Sequence, residues 1–401
     1  MGNGIFIKRV ILRNYRSIGY CDVSLGNLTY LVGANGSGKS NFLDALQFIR
    51  DALNTSLDNA LNERGGIDEV RRRSNGHPTH FGMRLEFILP GQKQGSYAFN
   101  IGALKGRGYE VQTEECIIDG KGKGPSYKIN RGEMETTSEK IFPAITKDRL
   151  ALVAASGLQA FREVYDALSA MSFYNLNPKL MRELQKPQEG KLLKFSGENI
   201  ASVIGHLQRL SDDKQIKNIE AYLHSVVPTV RSVMQKSVGH METLEFRQTV
   251  GAARHPWKFT ALNMSDGTLR ALGILVALFQ GNQDYFPTLV GIEEPETALH
   301  PAASGALREA LARAAQETQV IVTSHSPELL DDPNIADSHI RAVIAEDGET
   351  NIAPLDEASR RTMKEHLFTA GELLRKNQLA PDREFLKKQI SQQADLFGET
   401  V

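Results

Sequence analysis

A glycine-rich loop ending in Lys39 and Ser40 is the segment whose residue types most directly imply chemistry. Residues 33–40 read GANGSGKS and stand between an apolar run and an amphipathic run, as a strand, a loop and a helix would require. Glycines there let successive backbone N–H groups point at phosphate oxygens, and the following helix adds its positive end. Lys39 would reach the β- and γ-phosphates, and the Ser40 hydroxyl would bind Mg²⁺. The residues expected to contact a nucleotide are Gly33, Asn35, Gly36, Ser37, Gly38, Lys39, Ser40 and Asn41. A chance glycine-rich turn is the alternative, which the flanking patterns disfavour.

Three glutamates follow an apolar strand pattern over residues 288–292. Glu293, Glu294 and Glu296 would repel one another and resist ionisation unless a cation or a proton transfer accounts for them. We expect Glu293 to hold Mg²⁺, through water, and Glu294 to orient and deprotonate an attacking water molecule. An acidic helix N-terminus after Pro295 is the alternative, and we accept it for Glu296 alone.

A second apolar run, residues 319–323, ends at Ser324 and His325. A lone histidine is usually a surface residue or a satisfied core residue. Here the histidine follows the next strand after the acidic one, and two adjacent parallel strands would bring it toward a γ-phosphate. We therefore group Lys39, Glu293, Glu294 and His325 as one catalytic constellation.

The hydrophobic patterns predict an α/β protein around these residues. Residues 5–33 read as strands, residues 39–53 as a helix and residues 81–129 as short strands joined by turns. Residues 142–227 have helical periodicity, and strands return from LEFRQTV onward, with a two-residue hairpin turn expected at Asp347–Gly348. The predicted units are 1–140, 141–240 (an inserted helical lobe), 241–375 and 376–401 (a polar tail).

The chain has 401 residues and a mass of 44.3 kDa, and its composition is that of an ordinary globular protein. Its net charge of −1 gives no overall attraction to nucleic acid or anionic lipid. The two cysteines, Cys21 and Cys116, lie too far apart in sequence for a CxxC motif, and no apolar run is long enough to span a bilayer. We expect a cytoplasmic protein without a membrane partner.

The segment Asn263–Arg270 (NMSDGTLR) resembles the signature loop of ABC-type ATPases. Together with GANGSGKSN, IEEPETALHP, VTSHSPELL and the opening LRNYRSI, it makes residues 5–375 similar to the RecF, SMC and OLD branch of that family. The resemblance implies an ABC-type P-loop ATPase head with a β-rich lobe and an inserted helical lobe, using ATP and Mg²⁺. It places Arg16 and Ser17 near the nucleotide. It also implies a homodimer or higher homo-oligomer, in which Ser265, Asp266 and Gly267 cap the γ-phosphate held by a second subunit.

Several departures from the family pattern qualify what the resemblance implies. Glu293 stands where an aspartate is usual, although OLD-like members share the glutamate, and no glutamine fits the Q-loop position. The residues after His325 lack the acidic DxD cluster of a TOPRIM nuclease. The chain therefore resembles stand-alone ATPases that sense and regulate a separate nuclease or toxin in bacterial anti-phage defence. A RecF-like DNA repair clamp and a transporter motor are the alternatives, the second disfavoured by the long insertion.

Two surface segments suggest partners more weakly. Arg71–Arg73 could contact a DNA backbone, although a solvated helix end is the more ordinary explanation. The segment Gln393–Phe397 (QADLF) resembles the short peptide that docks replication proteins on the sliding clamp. In a flexible tail, its Leu-Phe pair would insert into a pocket of the clamp, but the same pair could instead fold back on the ATPase.

Overall fold

The computed structural model describes residues 6–74, 78–106, 108–118, 124–210, 214–251, 255–282 and 285–397. Its strands are β1 (Phe6–Tyr15), β2 (Ile18–Ser24), β3 (Leu28–Val32), β4 (His80–Ile88), β5 (Gln94–Ala103), β6 (Tyr109–Ile118), β7 (Ser126–Asn130), β8 (Glu133–Thr137), β9 (Ser172–Tyr174), β10 (Val230–Val238), β11 (Met241–Gln248), β12 (Trp257–Thr260), β13 (Leu289–Glu293), β14 (Gln319–Ser324), β15 (Ile340–Glu346) and β16 (Glu349–Ala353). Its α-helices are α1 (Lys39–Asn54), α2 (Leu57–Asn62), α3 (Ile67–Val70), α4 (Ala151–Ala155), α5 (Gln159–Ser169), α6 (Pro178–Arg182), α7 (Ile200–Arg209), α8 (Lys214–Val226), α9 (Asp266–Phe279), α10 (Ser304–Ala314), α11 (Pro327–Leu330), α12 (Glu357–Lys364), α13 (Ala370–Arg375) and α14 (Arg383–Ser391).

A six-stranded sheet in the order β16-β15-β3-β14-β13-β9 joins the two ends of the chain. The strands from β15 to β9 are parallel, and β16 returns antiparallel to β15. Asp347 and Gly348 form the predicted two-residue turn between β15 and β16, with φ values of 51° and 76°. The carboxyl ends of β3, β13 and β14 reach the same edge, so the loops after Val32, Glu293 and Ser324 meet there. The predicted α/β class is confirmed.

A seven-stranded antiparallel sheet, in the order β2-β1-β4-β5-β6-β7-β8, packs against α1. Phe48 on α1 meets the rings of Tyr15, Phe81 and Phe99, with centroids 5.5 to 6.4 Å apart. Such tilted and edge-on aromatic pairs add to the free energy gained by burying the rings. This sheet confirms the predicted strands of residues 81–129, and its core fixes the helix that follows the glycine-rich loop.

A buried carboxylate fastens α4 to the antiparallel sheet. Glu114 on β6 has 0% exposure and accepts hydrogen bonds from the hydroxyls of Tyr97 and Tyr127, at 3.1 and 2.8 Å. It also accepts from the backbone N–H groups of Ala151 and Leu152, at 2.5 and 2.8 Å. Burial raises the pKa of Glu114, while these four hydrogen bonds oppose that shift. The carboxylate thereby satisfies the first N–H groups of a helix that has no side-chain cap.

Residues 141–240 contain α4 to α8, but they are not wholly helical. β9 pairs with β13 through Ser172↔Val290 and Tyr174↔Ile292, so it belongs to the parallel sheet. The helical expectation is wrong at these residues because three positions are too few to show alternation, and pairing with β13 decides their conformation. The end of the same range starts a three-stranded sheet, β10-β11-β12, which shares a core with α7, α8 and α9. The boundaries of the four predicted units stay predictions.

Among the helices of the described ranges, none is both long and apolar enough to cross a bilayer.

The tail residues 393–397 lie on the antiparallel sheet. Leu396 is 2% exposed and packs against Ile11 and Tyr20. The backbone N–H of Ala394 donates to the Tyr20 hydroxyl at 2.9 Å, and Arg84 donates to the Leu396 carbonyl at 2.8 Å. The expectation of a flexible tail is therefore wrong for these residues, because the Leu396 side chain packs against β1 and β2 of the same chain. A sliding clamp could bind the Gln393–Phe397 peptide only after displacing this contact.

We predict that Leu396→Asp will release the tail, because a charged carboxylate is costly to bury in an apolar site. Hydrogen exchange at the Ala394 amide, slow in the unchanged protein, is expected to approach the rate of an unprotected amide. Ile390→Asp is the matched control, since Ile390 is 60% exposed and its substitution should leave that amide protected. Fast exchange at Ala394 in the unchanged protein would contradict the packed tail.

Candidate nucleotide site

The glycine-rich loop curls around the ammonium group of Lys39. Lys39 Nζ donates to the carbonyls of Gly33 and Ala34, both at 2.9 Å. Gly36 and Gly38 adopt left-handed φ values of 77° and 96°, which glycine adopts without a Cβ clash. Gly38 then precedes the first residue of α1. The loop thus presents the amino end of a 16-residue helix and a cation on one surface.

Burial lowers the pKa of Lys39, and the charges of Glu294, Glu296 and Glu293 act in the opposite sense. The lysine is 4% exposed. Because a buried ammonium needs compensating negative charge, the acidic strand end stabilises the charged form of Lys39. The predicted grouping of the lysine with these glutamates therefore corresponds to an electrostatic contact in the structure.

Ser40 and Glu293 meet at the start of α1. The Ser40 hydroxyl donates to Glu293 Oε2 at 2.9 Å. Burial is the largest cause that raises the pKa of Glu293; the Ser40 hydrogen bond lowers it, and nearby Glu294 and Asp44 raise it. A hydroxyl and a carboxylate side by side are hard oxygen donors, the ligand type that Mg²⁺ requires. These two residues fit the predicted metal position.

Glu294 has a strained backbone and faces His325. Its φ is 43°, a left-handed value that is rare for a residue with a long side chain. Its N–H donates to the Thr323 carbonyl at 3.0 Å, and its own carbonyl accepts from Arg270 at 3.0 Å. Glu294 Oε1 lies 3.3 Å from His325 Nδ1, although the angles at that nitrogen do not make a hydrogen bond. The two side chains therefore face each other at close range without a hydrogen bond between them.

Glu296 contacts the histidine segment instead of beginning a helix. Its Oε1 accepts from the Ser324 hydroxyl at 2.7 Å and from the His325 N–H at 3.3 Å. Residues 295–298 form turns, and the next α-helix begins only at Ser304. The expectation of an acidic helix N-terminus at Glu296 is therefore wrong, because this carboxylate ties the loop after β13 to the loop after β14.

Buried polar atoms without hydrogen-bond partners gather around this edge of the sheet. Ser37 Oγ, Arg270 Nε, Glu296 Oε2 and His325 Nδ1 are all of this kind. Leaving such atoms unpaired costs free energy, so their concentration at one place points to a ligand or ordered water. A nucleotide with its metal and water would supply the missing partners.

Arg16 and Ser17 lie in the turn between β1 and β2, next to the loop. Arg16 Nε pairs with Asp44 on α1 at 3.0 Å. The Ser17 hydroxyl accepts from the Asn41 side chain at 2.6 Å and shares a 2.7 Å hydrogen bond with Thr350. Asn35 is exposed at the loop surface. The turn between β1 and β2 thus contacts the first turn of α1 through side chains.

The signature segment lies at the amino end of α9. Ser265 caps that helix by accepting from the Thr268 N–H at 3.1 Å, and Asp266 pairs with Arg182. A Cβ added to Gly267 would stand 2.5 Å from the Ala298 carbonyl, so the loop after β13 packs directly on this helix end. Ser265 and Asp266 are exposed. Among the described residues, no hydrogen bond or ion pair joins residues 265–267 to residues 33–41 of the same chain.

Two family models match parts of the chain that contain these residues. One, described as "AAA ATPase domain", matches residues 6–80. The other, described as "AAA domain, putative AbiEii toxin, Type IV TA system", matches residues 207–331. The first range holds the glycine-rich loop, and the second holds the signature, the acidic strand end and His325.

Curated relatives extend the likeness over most of the chain. The Old nuclease of Escherichia phage P2 is 22% identical over 361 residues, covering 81% of this chain and 57% of the relative. The OLD nuclease of Thermus scotoductus is 24% identical over 341 residues, covering 80% of this chain and 59% of the relative. The chain thus spans a little over half the length of both nucleases.

Solved structures give the same fold. An Smc head bound to the C-terminal winged-helix domain of ScpA has a TM-score of 0.56 at 14% identity, covering 90% of this chain and 99% of that one. The Smc head of Pyrococcus furiosus with the ScpA C-terminal domain has a TM-score of 0.51 at 12% identity, with the same coverage. The chain is an ATPase of the AAA/ABC type, similar to the OLD nucleases in sequence and to Smc heads in fold. The sequence resemblance and the predicted fold are confirmed at that level.

Arg270 is a residue of this ATPase that the sequence patterns did not single out. Its guanidinium donates to the carbonyls of Leu176, Glu293 and Glu294, at 2.7, 3.2 and 3.0 Å. Burial lowers the pKa of Arg270, and the three glutamates of the acidic strand end oppose the shift. The side chain links the signature helix to the ends of β9 and β13. Its position directly before the apolar run ALGILVALF, residues 271–279 of the same helix, was the available signal.

The arginines at 71–73 do not form a free basic patch in the ATPase. Arg71 pairs with Asp68 at 2.9 Å, Arg72 pairs with Glu349 at 2.9 Å, and Arg73 pairs with Glu69. Their charges are compensated within the chain, which agrees with the expectation of a solvated helix end more than with a DNA contact.

We predict a pH-dependent stability difference between the unchanged ATPase and Glu293→Gln in EDTA. Because the pKa of Glu293 is raised by folding, the folded state holds its proton more tightly than the unfolded state. Stability therefore falls as pH rises from the ordinary glutamate value through the raised one. As the pH rises from 4.5 to 8, the melting temperature of the unchanged protein should fall relative to that of Glu293→Gln. The amide oxygen of the glutamine can still accept the hydrogen bond from Ser40. Exposed Glu309→Gln on α10 controls for loss of one carboxylate; a pH-independent difference for Glu293→Gln would contradict the assignment.

Proposed function

We propose that the ATPase hydrolyses ATP in a site completed by a second copy, with Glu294 as the general base. The observation that carries this proposal is the convergence of Lys39, Ser40, Glu293, Glu294 and His325 at one edge of the parallel sheet. These side chains come from three loops, those after β3, β13 and β14, and contacts or charges link them all. Such a constellation is costly to maintain unless phosphate and a cation neutralise it.

The loop residues would bind the phosphates. Lys39 would exchange its bonds to the Gly33 and Ala34 carbonyls for phosphate oxygens, and the N–H groups leading into α1 would point at the same anion. Ser40 and Glu293 would hold Mg²⁺, which neutralises charge that develops on the phosphate oxygens. Ser40 and Glu293 are already hydrogen-bonded to each other, so little rearrangement would be needed for both to bind the metal.

Glu294 and His325 would handle the water. Glu294 would orient a water molecule and accept its proton, and His325 would donate a hydrogen bond toward the γ-phosphate. Glu296 supports this arrangement by accepting from the His325 backbone N–H. The Nδ1 atom of His325 has no hydrogen-bond partner and lies 3.3 Å from Glu294. It is therefore available to hydrogen-bond either the water molecule or the γ-phosphate.

No glutamine fits the Q-loop position, and we propose Asn175 for the ligand that such a glutamine would supply. It is exposed and directly follows Tyr174, the residue of β9 that pairs with Ile292 of β13. The pairing ends there, and the Asn175 N–H donates to the Phe195 carbonyl at 3.0 Å, so Asn175 begins the loop that leaves β9 at the same sheet edge as Glu293. An amide there can hydrogen-bond a water molecule held near the metal.

The signature segment would complete the site of a second copy. Ser265 and Asp266 are exposed and stand at the amino end of a 14-residue helix, and among the described residues no hydrogen bond or ion pair joins them to residues 33–41 of their own chain. A helix amino end is suited to a γ-phosphate. A nucleotide gripped by the Lys39 loop of one copy and the Ser265 end of the other would close the dimer, and hydrolysis would release it.

We predict that Glu294→Gln lowers ATP turnover at least about a hundredfold, since it removes the general base. With ATP and Mg²⁺ this variant is expected to accumulate as a dimer in light scattering. The chain has one tryptophan, Trp257, which is 56% exposed on the strand before the signature segment, so its emission offers a second readout. Turnover equal to that of the unchanged protein would refute the assignment of the base.

A mixing experiment is the control for this prediction. Lys39→Ala should bind no nucleotide, and Ser265→Arg should bind nucleotide without closing. Neither variant alone should hydrolyse ATP, but a mixture should, because one interface then pairs an intact Lys39 with an intact Ser265. A mixture without activity would count against the shared site.

We further propose that closure acts on a separately encoded nuclease or toxin, as in anti-phage defence. Two observations support this: the curated relatives are nucleases of which this chain matches 57% and 59%, and the model over residues 207–331 carries a toxin description. The alternative, direct DNA binding by a RecF-like clamp, is less favoured because Arg71–Arg73 are paired with acids.

We predict that the ATP-loaded Glu294→Gln dimer will copurify with the product of the neighbouring gene. Its affinity for a 30-base-pair DNA duplex should be weak and lost by about 200 mM salt, as expected for non-specific phosphate contacts. Tight duplex retention at that salt, with no complex between the two gene products, would instead support the RecF-like alternative.

A further inference from the structure

The hairpin of β15 and β16 lies beneath the glycine-rich loop. It spans residues 340–353, outside both ranges matched by the family models. β15 is the parallel neighbour of β3, with Ala342 opposite Val32, the last residue before the loop. Neither strand contributes a residue to the site predicted from sequence. The hairpin nevertheless touches the loop at three points.

The main contact is the side chain of Thr350, which is 1% exposed. Its hydroxyl donates to the Ser37 carbonyl at 3.0 Å. Its backbone N–H donates to the Ser17 carbonyl at 2.8 Å, and its hydroxyl lies 2.7 Å from that of Ser17. One residue of the hairpin therefore joins the glycine-rich loop to the turn between β1 and β2.

The direction of these hydrogen bonds can be worked out. A threonine hydroxyl has one proton, and Thr350 gives it to the Ser37 carbonyl, so Ser17 must donate to Thr350. Ser17 in turn accepts from the Asn41 amide at 2.6 Å. The result is a chain of hydrogen bonds that runs from the Asn41 amide through Ser17 and Thr350 to the Ser37 carbonyl.

Steric contacts make the same connection tight. A Cβ at Gly38 would stand 1.9 Å from Thr350 Oγ1, and a Cβ at Gly33 would stand 2.0 Å from the Val343 carbonyl. These glycines are therefore required by the hairpin, apart from any need of the phosphate. Because Ser37 and Gly38 lead directly into α1, their backbone determines where the helix N–H groups point.

We infer that Thr350 is a positioning residue for nucleotide binding, which holds residues 37–38 in the phosphate-binding conformation before the nucleotide arrives. This inference rests on the proposed function, since it requires the Lys39 loop to bind phosphate. Thr350 is 1% exposed beneath the loop, so it would act through residues 37–38 and not by direct contact with the nucleotide. A preorganised loop binds more tightly because less conformational entropy is lost on binding. Removing the hydroxyl should therefore weaken binding without altering the chemistry of hydrolysis.

The test is titration calorimetry of ADP with Mg²⁺ on the full chain, since ADP binds without turnover. Thr350→Val keeps the side-chain volume but removes the hydroxyl and both of its hydrogen bonds; because one of them reaches the loop at Ser37, the dissociation constant for ADP should rise about fivefold to tenfold. Thr350→Ser keeps the hydroxyl and should remain within about twofold of the unchanged protein.

Thr318→Val is the matched control. Thr318 is 7% exposed, and its hydroxyl donates to the Pro287 carbonyl at 2.8 Å, so the substitution removes the same kind of bond away from the loop. It should lower the melting temperature while leaving ADP affinity unchanged. Should Thr350→Val not fold, Thr350→Cys replaces it, because a thiol is a weaker donor and should weaken ADP binding relative to Thr350→Ser.

Equal ADP affinity in Thr350→Val and Thr318→Val would overturn the inference. Lys39→Ala, measured alongside, tests the proposed function. Loss of ADP binding in Lys39→Ala together with unchanged binding in Thr350→Val would refute only the role of Thr350. Unchanged binding in Lys39→Ala would overturn both.

Discussion

One buried lysine facing three glutamates is the interaction on which the rest of the site depends. Lys39 loses hydration inside the loop, and Glu293, Glu294 and Glu296 provide the negative charge that keeps it protonated. The glutamates in turn crowd one another, which only cations relieve. The opposite charges of the two halves offset each other, and some of their atoms remain without hydrogen-bond partners, as Glu296 Oε2 and His325 Nδ1 show. The phosphate chain and divalent metal that we propose as ligands would supply the missing charged partners.

The surrounding structure keeps those groups close by connecting loops that are remote in sequence. Arg270 joins the signature helix to the carbonyls of Glu293 and Glu294, and Glu296 joins the loop after β13 to the loop after β14. Thr350 does the same for the glycine-rich loop. These hydrogen bonds would transmit a displacement of one loop to the others. That connection would allow phosphate loss at the loop to reach the exposed Ser265 end, as the proposed closing and opening requires.

The sequence was most informative where chemistry is local. The glycine-rich loop, the acidic strand end and the strand before His325 are contiguous, so pattern alone predicted their elements and the adjacency of β13 and β14. Contacts between distant segments were not predictable in that way. Thr350 and Arg270 look like ordinary strand and helix residues until their partners are known. β9 is too short to show a period, and the burial of Leu396 depends on a site formed by β1 and β2.

The position of β3 in the parallel sheet has a consequence for how the chain is made. β3 lies between β15 and β14, neither of which exists until the ribosome has passed residue 319. The strand that carries the glycine-rich loop therefore leaves the exit tunnel as an apolar segment without either neighbour. Such delayed pairing slows folding and leaves nascent chains prone to aggregation. Synthesis in the cell should consequently be sensitive to chaperones that shield the amino-terminal strands, and fragments ending before β14 should not accumulate as folded species.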